Sequence, residues 1–134
     1  AKERYIAVQE ITCEMLEEFQ TLVRVTVTTE NATRSVAGTL FAHNKPRLVE
    51  IRGISIDAEL GPNMLMIINE DKPGFIGALG SLLGEQKINI ATFHLGRDKP
   101  GGDAVALVEV DHRHLVNALA FSVPSYFDRL SMRI

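Results

Sequence analysis

The chain has one cysteine, Cys13, in 134 residues. That excludes an internal disulfide and a cysteine-built metal cluster, and it fits a reduced, cytoplasmic setting. No apolar run approaches the ~18–20 residues of a membrane span, and no signal peptide opens the chain, so a membrane is not an expected partner. Positive charge is not in excess: 14 Lys and Arg stand against 17 Asp and Glu, a net −3. A nucleic-acid binder would want a basic face, so no nucleic-acid partner is expected. The motifs G-x-x-x-x-G-K-[ST], G-x-S-x-G and G-x-G-x-x-G are missing, and with them the usual phosphate, acyl-transfer and dinucleotide chemistry. Gly74, Gly77, Gly80 and Gly84 are spaced by three and four within one helical stretch. They read as close-packing points rather than as a dinucleotide loop. His112-x-His114 falls at a helix start, where i and i+2 do not face each other, so no metal site is expected.

What is present is globular: 46% apolar and 23% charged residues, enough for one ordinary domain or two small ones. Residues 5–11 read as a short strand and Met15 to Gln20 as a helical turn or connector. Residues 22–28 are β-branched and alternating, which predicts a strand with one face packed and one wet. After a turn at Glu30-Asn31-Ala32, Thr33 to Ala42 reads as its hairpin partner, with Gly38 at a bulge or close approach. A turn at His43 to Pro46 precedes two further strands, 47–51 and 54–56, around Gly53. Gly61-Pro62-Asn63 is the one clear boundary. Beyond it come strand 64–69, helix 75–86, strand 88–95, a hairpin turn at 99–103, strand 104–110, helix 112–122 and a last strand, 127–134. The fold class is α+β. A ferredoxin-like βαββαβ domain over 62–134, with a four-stranded antiparallel sheet and two helices, follows a mainly β partial domain over 1–61.

The stretch Asn69-Glu70-Asp71-Lys72-Pro73-Gly74-Phe75-Ile76 joins an apolar strand to an apolar helix. The five unbroken apolar residues before it, 64–68, predict a strand buried on both faces. Asp71 and Pro73 suit a helix N-terminus, and Gly74 leaves the backbone open to a ligand. The stretch is therefore either a good helix cap or a site for a small charged molecule. Asn89 sits in a β-rich run where asparagine is poorly suited, which implies a hydrogen-bonding task or a cap on the preceding helix. Lys45, Arg47 and Arg52 form a small basic group, either a solvated turn or an anion site.

The motifs Asn69-x-Asp71-x-Pro73-Gly74, Leu79-Gly80-x-Leu82-Leu83-Gly84 and Ile88-Asn89-Ile90-Ala91 resemble the ACT domain, an amino-acid-sensing module. Asn69 to Gly77, Asn89 to Arg97 and Gly101 to Ala104 are similar to the carboxy-terminal end of the bacterial D-3-phosphoglycerate dehydrogenase family. Thr33 to Phe41 resembles that family's intervening, allosteric substrate-binding domain. The resemblance implies a regulatory fragment that binds L-serine, the pathway's end product, at ACT dimer interfaces for feedback inhibition. It puts serine contacts at Asn69, Asp71 and Asn89, with backbone amides near Gly74 suited to the carboxylate. Asn69 stands where the family often has histidine or tyrosine. For the intervening domain it implies an anion site at Arg47 with Lys45 nearby, although Glu59 stands where another basic residue is expected. A homo-oligomer, at least a dimer, is implied. NAD would be the cofactor of the full enzyme; none is expected in this chain, which should not turn over substrate. Two alternatives remain: the regulatory part of an iron–sulfur L-serine dehydratase, and a dimerisation module without a ligand.

Overall fold

A computed structural model describes residues 21–42, 44–111 and 129–132. The expected strand 5–11, the connector 15–20, Cys13, His43, helix 112–122 with its two histidines, and most of the last strand lie outside them. Among the described residues, eight strands and one helix follow in order. They are β1 (Leu22–Thr28), β2 (Thr33–Phe41), β3 (Lys45–Ile51), β4 (Ile54–Glu59), β5 (Met64–Glu70), α1 (Phe75–Glu85), β6 (Ile90–Arg97), β7 (Asp103–Val110) and β8 (Arg129–Met132). The first four form an antiparallel meander, β1-β2-β3-β4, and the rest a sheet in the order β6-β7-β5-β8. Every pairing in the second sheet is antiparallel. That is the expected ferredoxin-like order, with β6 at one edge.

The apolar run of β5 serves two cores. Leu65 and Ile67 point to α1, where they meet Phe75, Leu79 and Leu83 together with Ala106 and Val108 of β7. Met64, Met66 and Ile68 point the other way, onto Leu48, Ile51, Ile54, Ile56 and Ala58 of the first sheet, joined by Val105 and Leu107. Alternate side chains of a strand face opposite sides, so a strand sandwiched between a helix and a sheet must be apolar throughout. The partial domain thus closes on the second sheet rather than on itself. Gly96 marks a close backbone approach between the sheets: a β-carbon there would collide with the Ser55 carbonyl.

Several boundaries shift from expectation. Strand β6 begins at Ile90 rather than at residue 88, because Ile88 turns inward under the helix and its amide bonds the Leu83 carbonyl at 2.9 Å. Lys45 and Pro46 belong to β3, not to the turn. The bulge expected at Gly38 is present, between Ala37 and Gly38. Strand β1 departs most. Val23, Val25 and Val27 are 68, 53 and 57% exposed, so neither face is packed among the described residues. The second sheet reaches only as far as Val36 of β2 and leaves β1 outside. The helix glycines are not packing points either. Gly77, Gly80 and Gly84 have open space at the β-carbon position, because the 3–4 spacing that turns Phe75, Leu79 and Leu83 inward turns them out.

Candidate functional site

Asn69, Ala104 and Arg97 form one row across three strands: Ala104 of β7 is in register with Asn69 of β5 on one side and Arg97 of β6 on the other. The next row inward, Ile67, Ala106 and Leu95, again has alanine in the middle. The small Ala104 of β7 leaves a hollow at the sheet end, roofed by Pro73, Gly74, Phe75, Ile76 and Gly77 where α1 begins. Its volume is about 320 Å³, at the small end of ligand-sized cavities.

Asp71 hangs over this hollow and does not cap the helix. The N-cap is Gly74, held at φ 92, and no side chain bonds there. The helix starts at Phe75, leaving Pro73 in the turn before it. The Asp71 carboxylate instead crosses to the β6–β7 hairpin. Arg97 Nη1 donates to its Oδ2 at 2.8 Å, and the Gly101 amide donates to the same oxygen at 3.4 Å. The Asp71 amide in turn donates to the Gly102 carbonyl at 2.7 Å. The Arg97 hydrogen bond, helped by Gly101 and by the guanidinium charge, holds the Asp71 carboxyl below its ordinary 3.8 against a counteracting push from desolvation. Beside it, Asn69 Oδ1 is buried and has no hydrogen-bond partner among the described residues. A buried acceptor without a donor is costly, and a ligand that donates would relieve it.

Asn89 is not in this hollow. Its Nδ2 donates to Asp111 Oδ2 at 2.7 Å, and the Asp111 amide donates to the Asn89 carbonyl at 3.3 Å. Its hydrogen-bonding task within the chain is thus to tie the start of β6 to the end of β7. Eight residue steps along β6, roughly 25 Å, separate it from Arg97. Lys45, Arg47 and Arg52 are not gathered either. Lys45 opens β3, whereas Arg52 sits in the turn beyond its far end with φ 55. Arg47 lines a separate cavity of about 780 Å³ with Phe41, Asp57 and Leu95. Its Nε lies 2.6 Å from Asp57 Oδ1, a charge contact without hydrogen-bond alignment, and its Nη1 is 3.7 Å from Glu59. The guanidinium also stacks 5.7 Å from the Phe41 ring. Two carboxylates already answer its charge.

Reading the residues one by one gave Arg97 and Ala104 no role in the site. A signal for Arg97 existed: it lies in phase with Phe93 and Leu95, a charge on the apolar parity of its strand. Ala104 gave none, since its importance comes only from the two strands beside it.

Residues 1–52 match the D-3-phosphoglycerate dehydrogenase intervening domain, and residues 63–120 match the ACT domain. The D-3-phosphoglycerate dehydrogenase of Bacillus subtilis is 33% identical over all of this chain, which covers 25% of that protein. That of Archaeoglobus fulgidus is 36% identical over 83% of the chain and 21% of its own length. That of Methanocaldococcus jannaschii is 32% identical over 72% of the chain and 18% of its own length. The chain thus spans about a quarter or less of these relatives. It carries an intervening-domain segment followed by an ACT domain, the order found in the carboxy-terminal regulatory region of the D-3-phosphoglycerate dehydrogenases.

Proposed function

We propose that this chain is a cytoplasmic serine sensor: L-serine binds in the hollow between Asn69, Asp71 and the start of α1, and its binding restrains a dehydrogenase to which the module belongs. The observation that carries this reading is the unpartnered Asn69 Oδ1 beside the fixed Asp71 carboxylate, in a hollow sized for a small ligand. Serine offers three ammonium donors to Asp71 and a hydroxyl donor to Asn69. Oxidation of phosphoglycerate with NAD would belong to other parts of such an enzyme, since this sequence has no dinucleotide motif.

Asn89 enters the reading through a second copy of the chain. Strand β6 lies at the sheet edge, and an edge strand is a ready template for its own copy. A two-fold axis centred on Phe93 would pair Asn89 of one chain opposite Arg97 of the other, completing two equivalent sites. Calorimetry tests binding: L-serine at millimolar concentration should bind, and Asp71→Ala should abolish it. Absence of serine binding in the unaltered chain would leave a dimerisation module. Mixing Asp71→Ala and Asn89→Ala chains tests the sharing. Exchanged heterodimers should regain one intact site, since both changes fall together in the other. A mixture with confirmed exchange and no recovered binding would rule out a shared site.

A further inference from the structure

We propose that Arg97 is the carboxylate receptor of this site, so that Arg97 and Asp71 together read the ligand as a zwitterion. The proposal rests on the serine-sensor reading and adds to it a binding residue and a basis for ligand choice. The guanidinium has five N–H donors in a rigid fork. Its contact with Asp71 uses Nη1, its side chain is 55% exposed, and it lines the hollow. Donors therefore remain for a second anion. Asp71 is placed in the complementary way. Both hydrogen bonds it receives fall on Oδ2, which leaves Oδ1 as an acceptor for an ammonium group.

The pair thus offers one negative and one positive group side by side above the Ala104 floor. An α-amino acid carries the opposite charges on a single carbon and can answer both at once. An amine without a carboxylate would meet Asp71 and leave its uncharged end facing the guanidinium. A hydroxy acid would bring its carboxylate towards Asp71 with no ammonium group of its own to satisfy it. Arginine suits the task better than lysine because a carboxylate can take two parallel N–H groups from the fork. The same guanidinium holds the Asp71 carboxyl below its ordinary range and so favours its charged form.

The test compares L-serine with L-serinamide, whose carboxylate is replaced by a neutral amide, in a buffer acidic enough to keep both amines protonated. Calorimetry on the unaltered chain should give a serine preference of roughly 10- to 100-fold, the usual worth of a hydrogen bond to a charged group. In Arg97→Gln the preference should fall to within about threefold while serinamide binding persists. Melting temperatures without ligand establish that the variant is folded. Proportional loss of both ligands in Arg97→Gln would overturn the proposal, because Arg97 would then only position Asp71. Equal binding of both ligands to the unaltered chain would overturn it without any variant, while the serine-sensor reading would stand. If the unaltered chain binds neither, that reading fails and this proposal with it.

Discussion

Asn69 and Arg97 stand on either side of Ala104, in register across β5, β7 and β6. Two strand spacings, about 10 Å, separate their backbones, and an alanine side chain leaves the interval open. The candidate site is therefore a property of three residues on three strands, which only strand pairing brings together.

Filling that interval should close the site. Ala104 is 1% exposed and borders the hollow, so Ala104→Val adds its methyl groups there or forces them into the sheet. The expected result is loss of serine binding by calorimetry with a destabilisation of about 1–3 kcal/mol or less, since overpacking is costly only where no space exists. Full binding in the variant would place the ligand elsewhere.

Asp71 should titrate below 3.8, because Arg97 and Gly101 bond its charged form. Its folded pKa is depressed relative to the unfolded chain. Its contribution to stability is therefore present above the unfolded value and is lost as pH falls through the lower folded value. Carboxyl NMR should show a midpoint under 3.8 that rises towards 3.8 in Arg97→Gln. A midpoint unchanged by that substitution would detach Asp71 from Arg97.

Asn69 should decide between serine and alanine. Its buried Oδ1 needs a donor, which the serine hydroxyl supplies and a methyl group does not. A preference for serine of about tenfold or more is expected from one such bond, reduced to near parity in Asn69→Ala. Competition calorimetry with both amino acids measures it.

Two glycines should respond in opposite directions. Gly80 lies within α1 with open space at its β-carbon position, so Gly80→Ala should stabilise by about 0.5–1 kcal/mol through helix propensity. Gly96→Ala drives a methyl group into the Ser55 carbonyl and should destabilise by about 1–3 kcal/mol. Urea denaturation of the two variants gives both signs.

Core truncation at Leu107 should be severe. It is fully buried between the two sheets, and Leu107→Ala should cost about 2–5 kcal/mol in the same measurement.

Much of the fold was legible because its signals are local. The unbroken 64–68 run announced a strand with no wet face, and the Phe75, Leu79, Leu83 spacing announced the helix. The valines of β1 misled because alternation records which residues share a face, not whether anything covers that face. Asp71 was legible as an important residue but not in its geometry. A carboxylate before Pro-Gly reads as a cap, and only the hairpin at Gly101 shows that it turns towards Arg97 instead. The basic group at Lys45, Arg47 and Arg52 looked compact because sequence distance is short, yet a strand carries its ends far apart.

The glycine contact has a mechanical side. Gly96 precedes Arg97, and its bare backbone faces the Ser55 carbonyl of β4 with the Ile54 side chain alongside. A ligand that draws on Arg97 pulls on a strand whose neighbouring residue, Gly96, puts no side chain of its own between the two backbones. Packed interiors yield little, so the tug would arrive at β4 almost undiminished. The module would then answer its ligand as a stiff plate, tilting whole, rather than as two beads on a string.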